Sequence, residues 1–208
     1  NGQGSYDVVA PKVKALLARH RSRPIGARVT LTSGVLDVTR IYRHLTEEIG
    51  FHEVGFAPVT SKDARSWAID GNGMDQVLAE FVKLGHDVGA SGVKVKPNDL
   101  PKGVAQEKTI EQIGKALNVV GAFAADYGQQ IRLEVHGSCS PLPIMKQIID
   151  IANHPNVFIC WNSNVTDLKG EGLEHNFNLV KNRFGATAHV RRLDSSDYPF
   201  EQLVAMFV

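Results

Sequence analysis

Six short apolar runs, each rich in β-branched residues and bounded by Gly, Pro, Asn or Ser, alternate with helical segments along the chain. They are "ARVTLT" (27–32), "EVGFAPVT" (53–60), "GVKVKP" (92–97), "IRLEVHG" (131–137), "VFICWN" (157–162) and "TAHVRRL" (187–193). Between them, 37–49 puts Val38, Ile41, Leu45 and Ile49 on one face behind Asp37 as N-cap, and 74–85 groups Val77, Leu78, Phe81 and Leu84. The longest helical pattern, 109–128, is capped by Thr109 and closed by Gly128, and 142–154, 172–185 and 199–208 complete the series. Strand then helix, repeated, implies right-handed crossovers and a parallel sheet covered on both faces.

Two architectures satisfy that pattern, an open doubly wound sheet and a barrel. The open sheet usually carries G-x-G-x-x-G after its first strand, and "TSGVLD" (32–37) has no such loop. The expected fold class is therefore α/β, an incomplete (β/α) TIM-like barrel of six parallel strand–helix units, forming one barrel-like domain over 1–208. The stretch before Ala27, "PKVKALLARHRSRPIG", adds a helix without a strand. Strands left unpaired at both ends of an incomplete barrel invite self-association, so a homodimer or larger homo-oligomer is expected.

Composition narrows the partners. Lys and Arg total 23 against 22 Asp and Glu, a formal charge of +1, which supplies no basic stripe for a phosphate backbone. Nucleic acid is not an expected partner. The two cysteines, Cys139 and Cys160, fit neither a zinc knuckle nor a disulfide framework. No apolar run approaches about 18 residues and no charged-then-apolar leader opens the chain, so neither a membrane span nor a secretory signal is expected, and a cytoplasmic protein is. The opening "NGQGSYDVV" lacks methionine, which suggests a start downstream of a tag or inside a longer reading frame.

Chemistry concentrates at strand ends. Glu134 and His136 stand two apart on one strand and point to one side by the period-two rule, as do His189 and Arg191. Such a pair is either a buried hydrogen-bonded couple or an acid–base or ligand pair. Arg191 at a barrel mouth suits an anion, while Arg192 has a surface partner in Asp194 or Asp197. Lys94 and Lys96, if turned inward, add positive charge that draws a phosphorylated or otherwise anionic small molecule. His20, His44, His52, His86 and His154 lie among charges on helices or loops and read as structural, and His175 beside Glu171 and Glu174 fits a helix start. Cys160 and Trp161 read as core, whereas Cys139 in "GSCSP" is expected near the mouth with His136 as its only candidate base.

From about Val88 to Val208 the chain resembles the sugar phosphate isomerase/epimerase group of xylose-isomerase-like barrels. The residues carrying this are "GVKVKPNDLPKGV", "EQIGKALNVVGAFAADYGQQIRLEVHG", "HPNVFICWNSNVTDLKGEGLEHNFNLVKNRFG" and "HVRRLDSSDYPFEQLVAMF". From about Gly2 to Leu84 it looks instead like the later part of a radical S-adenosylmethionine enzyme of the peptide-maturation kind, through "GSYDVVAPKVKALLARHRSRPIGARVTLT", "DVTRIYRHLTEEIGFHEVGFAPV" and "AIDGNGMDQVLAEF". The chain thus resembles a chimera of two barrel fragments with a seam near 84–90. C-x-x-x-C-x-x-C is absent, so no iron–sulfur cluster is expected.

The isomerase resemblance implies a site at the carboxyl ends of the strands, where carboxylates and imidazoles hold a divalent metal, zinc or manganese, against a sugar's oxygens. It assigns Glu134, His136, His189 and Arg191 as catalytic, the first three as metal ligands, with Lys94, Lys96, Asn162 and Asn164 binding substrate. Relatives often carry a glutamate ligand where Lys94 and Lys96 stand. Many place an acidic ligand where Asn162 and Asn164 follow "CW", and an amide is the weaker, neutral donor. Three functions compete. Metal-assisted hydrolysis of small phosphate or related esters needs the fewest parts, with Arg191 and a lysine stabilising developing charge by on the order of 3 kcal/mol per good donor. The alternatives are a sugar phosphate isomerase or epimerase, and an inactive fusion that oligomerises.

Overall fold

The computed structural model describes residues 4–20, 22–59, 61, 65–97 and 99–208. They group into two compact units, Asn1–Leu84 and Gly85–Val208. In the first, helix α1 (Tyr6–Arg19) precedes strand β1 (Gly26–Leu31), helix α2 (Val38–Arg43) with a π-helical turn at His44–Ile49, and strand β2 (Glu53–Pro58). Helix α3 (Gly71–Asp87) follows and runs through the unit boundary. Asp37 caps α2 as expected, its Oδ1 accepting from the Arg40 N–H at 2.9 Å. Strands β1 and β2 pair in parallel from Gly26 opposite Glu53 to Leu31 opposite Pro58. Leu31, Val38, Ile69, Val77 and Leu84 form the buried core, with Phe56 meeting Phe81 edge-on at 5.4 Å. The last residue of the expected strand 53–60 lies outside the described residues.

The second unit builds a three-stranded parallel sheet in the order β3 (Gly92–Val95), β4 (Gln130–Glu134), β5 (Val157–Cys160). Helices α4 (Gln106–Ala125), α5 (Leu142–Ile151), α6 (Gly172–Val180) and α7 (Phe200–Phe207) complete it. Strand β4 is central, and its alternation sorts two surfaces. Ile131, Leu133 and Val135 are buried on one face, while Gln130, Arg132 and Glu134 form a polar row on the other. A row of that kind suits the interior of a (β/α) unit better than a face packed by helices. Trp161, Phe177, Phe184 and Phe207 close one end of the core, with ring centroids 5.0 to 6.5 Å apart.

The expected elements differ from the observed ones in two places. Segment 187–193 is not a strand. It touches the extension of β5 through a single parallel bridge, Asn162 with His189, and Phe184, just before the segment, makes another with Ile159. The reason lies in the next amide, because the Arg191 N–H is taken at 3.0 Å by the Ser163 hydroxyl and the ladder stops. Among the described residues there are thus five strands. Thr109 does not cap α4, which starts at Gln106 with Ala105 before it, so Thr109 is a buried residue inside the helix. Gly128, with φ of 63°, follows the helix in the left-handed region.

Candidate active site

The polar row of β4 ends in Glu134, whose side chain is 3% exposed. A buried carboxylate requires partners, and it has four. Lys94 Nζ lies 2.5 Å from Oε2 and Lys96 Nζ 3.9 Å from the same oxygen. Asn162 Nδ2 donates to Oε1 at 3.0 Å, and His189 Nδ1 stands 3.5 Å from Oε1. The Lys94 ammonium is also 3.3 Å from His189 Nε2 and 3.4 Å from Nδ1. The Lys94 ion pair is the shortest of these contacts and supplies the charge compensation at Oε2.

Topology explains the convergence. Lys94 is in register with Arg132, so its long stem reaches one residue pair along β4 to Glu134. Glu134 is in register with Cys160, and Asn162, two residues on, bridges to His189. Three neighbouring chain segments therefore deliver their carboxyl-end side chains to one carboxylate. Burial pushes the Glu134 carboxyl up, but Lys94, helped by Lys96 and His189, outweighs it and holds the group below its ordinary value. Lys94 and His189 are 32% and 49% exposed, so water reaches the cluster from their side.

Other expected site residues lie elsewhere. His136 is half-buried in extended backbone past β4, and its Nδ1 is buried without a hydrogen-bond partner. The Arg191 guanidinium pairs with Asp197 at 3.2 Å and lies 5.8 Å from the Tyr198 ring centre. Asn164 does not point to Glu134. Its Nδ2 donates to the carbonyls of Val135 and Asn162, and it forms a capping box with Asp167. Cys139, expected near the mouth, is fully buried beside Ser140 and α5, and burial pushes its thiol up. His175 pairs with Glu171 at 3.4 Å, and Arg192 pairs with Asp194 at 2.7 Å.

The metal set implied by the isomerase resemblance does not form. Among the described residues no group of three or more His, Cys, Asp or Glu is placed to hold an ion, so Glu134, His136 and His189 are not gathered into one ligand set. The physical reason is the cation already present, since Lys94 stands against the carboxylate and the imidazole that a metal would need. These residues do not fit a divalent metal.

Two groups escaped sequence reasoning. Arg132 is buried in the same row, its guanidinium held by Gln130 Oε1 at 2.8 Å and by the Ser91 carbonyl and hydroxyl. The i, i+2 spacing of Gln130, Arg132 and Glu134 was its signal. Asp167 is fully buried, accepting from the Tyr198 hydroxyl and the Asn164 N–H, both at 2.8 Å, and burial pushes its carboxyl up to about 6. It fixes the loop that carries Asn162, and no local pattern in the sequence announces it.

No protein-family model matches the sequence, and no curated protein matches it. Solved structures do. A D-allulose 3-epimerase from Methylomonas sp. aligns over 94% of this chain and 74% of its own, with a TM-score of 0.58 at 17% identity. The shared property is the fold. A 3-keto-D-glucoside 4-epimerase from E. coli covers 83% of this chain and 73% of its own at TM-score 0.55 and 15% identity. A D-psicose 3-epimerase solved in the presence of D-fructose covers 99% and 76% at TM-score 0.53 and 12% identity. The chain is accordingly an α/β protein with the strand–helix order of an incomplete TIM-like barrel. Among the described residues no helix is long and apolar enough to cross a membrane.

Proposed function

We propose that the Glu134, Lys94 and His189 cluster moves a proton at a carbon beside the carbonyl of a small sugar, as an epimerase or isomerase. The observation that carries this reading is the ionised carboxylate held at the carboxyl ends of parallel strands by a solvent-reachable ammonium and imidazole. The fold is shared with epimerases whose names specify D-allulose, a 3-keto-D-glucoside and D-psicose, which makes a small polyhydroxy ketone the first substrate class to test.

In this reading Glu134 takes the proton from the carbon, the carbonyl oxygen gains the charge, and Lys94 donates to that oxygen. A lysine that turns toward the substrate leaves Glu134 with less compensation. Burial then lifts the carboxyl toward its neutral form and makes it a stronger base at the moment of need. His189, at the open side, returns a proton to the opposite face or to the adjacent carbon. Asn162 keeps the carboxylate oriented through Oε1. Arg191, 41% exposed in a loop of charged side chains, is the candidate for an anionic substituent such as a phosphate, and His136 for a second proton carrier.

Hydrolysis through a metal-bound water has less support, because its three ligands do not assemble. Self-association remains part of the proposal: β1 and β2 pair only with each other among the described residues, and a pair of strands is a weak sheet by itself. Light scattering at micromolar concentration gives a dimeric or larger mass if this is right and a monomer if it is wrong. For the activity, purified protein is incubated with D-fructose and the products are separated by chromatography. Formation of the 3-epimer, lost in Glu134→Gln, supports the reading. Unchanged D-fructose at high enzyme concentration, with D-allulose also inert, refutes that substrate class.

A further inference from the structure

We infer that Lys94 is a built-in cation that replaces a divalent metal, so that this chain binds no catalytic ion as it stands and acquires an ion site when the lysine is removed. The inference concerns occupancy of the cluster and does not depend on turnover.

The argument begins with charge. The Glu134 side chain is 3% exposed, and a carboxylate in that position needs a positive partner close by. A barrel site of the resembled kind meets that need with a metal held by carboxylate and imidazole. Here the carboxylate (Glu134) and the imidazole (His189) both face the point taken by Lys94 Nζ, 2.5 Å from Oε2 and 3.3 Å from Nε2, while the Asn162 amide stands beside them with its Nδ2 donating to Oε1. An ammonium and a divalent ion cannot share that space, because two cations a few ångströms apart in a partly buried site repel strongly. Lys96, 3.9 Å from the same oxygen, adds to the repulsion. Two neighbouring lysines against one carboxylate leave the local charge positive before any metal arrives.

The same geometry predicts what removing the lysine exposes. Glu134 loses its closest countercharge, and His189 and Asn162 remain beside it with an open volume the size of an ammonium. Oxygen and imidazole donors of this kind suit manganese.

The test uses the whole chain, freed of metal by chelator and titrated with Mn2+ alone, with bound ion read by electron paramagnetic resonance and by metal analysis after gel filtration. The wild-type protein is expected to retain none and to show no shift in melting temperature. Lys94→Ala is expected to take up about one ion per chain, saturably, and to melt higher with Mn2+ than without it. Lys94→Met, which keeps the apolar stem, is the second variant should the alanine form fold poorly. In either background Glu134→Gln abolishes uptake. The inference is overturned if wild-type protein holds one equivalent that Glu134→Gln releases, or if neither lysine variant binds Mn2+ while both remain folded by circular dichroism. Because no substrate enters the experiment, sugar epimerisation can fail while this result stands, and the reverse holds too.

Discussion

Lys94 Nζ and Glu134 Oε2 are 2.5 Å apart across two adjacent parallel strands, and this pair organises the polar face of the second unit. It joins a residue that is nearly sealed from water to one that water still reaches.

The pair should couple strongly in folding. Lys94→Ala leaves a buried carboxylate with Asn162, His189 and the more distant Lys96 at 3.9 Å, and because Lys94 is about a third exposed the cost is discounted to about 2 kcal/mol from the larger values of fully buried pairs. Adding Glu134→Gln removes the stranded charge, so the double variant is expected to be more stable than Lys94→Ala alone in urea unfolding. A double variant that sums the two single losses would show the groups to be independent.

Acid should act through the same carboxyl. The folded pKa of Glu134 lies below its ordinary value, so its contribution to stability is present above the ordinary carboxylate range and is lost as pH falls through the lowered folded value. Melting temperature followed downward from pH 6 should decline less in Glu134→Gln than in wild type. Parallel declines would contradict the assignment.

Asp167 works in the opposite sense. Its folded pKa is raised to about 6 from an unfolded value of about 3.9, so the unfolded chain releases this proton first as pH rises. Stability from this group is fullest below pH 4 and falls by on the order of 2–3 kcal/mol as pH rises through 6. Asp167→Asn should flatten that slope between about pH 4 and 7 in denaturant unfolding, while keeping an oxygen acceptor for Tyr198 or Asn164.

Packing of α4 on α5 depends on a missing side chain. A Cβ at Gly114 would lie 2.6 Å from Cβ and Cγ2 of Ile151 and 3.1 Å from the Ile148 carbonyl oxygen. Gly114→Ala is expected to destabilise by about 1–3 kcal/mol, despite alanine's better helix propensity. Equal or higher stability by urea titration would mean that the two helices separate more easily than their packing suggests.

Much of this was legible in the sequence because strand and helix periods survive translation into structure without long-range help. Val38 through Arg43, Val77 through Leu84 and the alternation along 131–135 fold as their spacing dictates, whereas His44–Ile49 widens into a π-helical turn. Glu134, Lys94, Lys96, Asn162 and His189 were all visible as polar groups at strand ends. Their mutual distances were not. Spacing placed His136 with Glu134 by the period-two rule, yet the strand pairs only to Glu134, and beyond it nothing fixes the ring against the carboxylate. Arg191 failed to join for a local reason: Asp197, six residues on in the same loop, captures its guanidinium. Segment 187–193 reads as a strand by composition, but a serine hydroxyl ended its ladder, and such a competitor is set by tertiary position.

The most direct measurement is solvent exchange. Protein and D-fructose are held in D2O at neutral pH, and the proton on the carbon beside the carbonyl is followed by nuclear magnetic resonance. The account predicts its steady replacement by deuterium, slowed at least about a hundredfold in Glu134→Gln and in Lys94→Met. Exchange that proceeds equally in wild type and both variants, or no exchange with D-fructose or D-allulose in any of them, would contradict it.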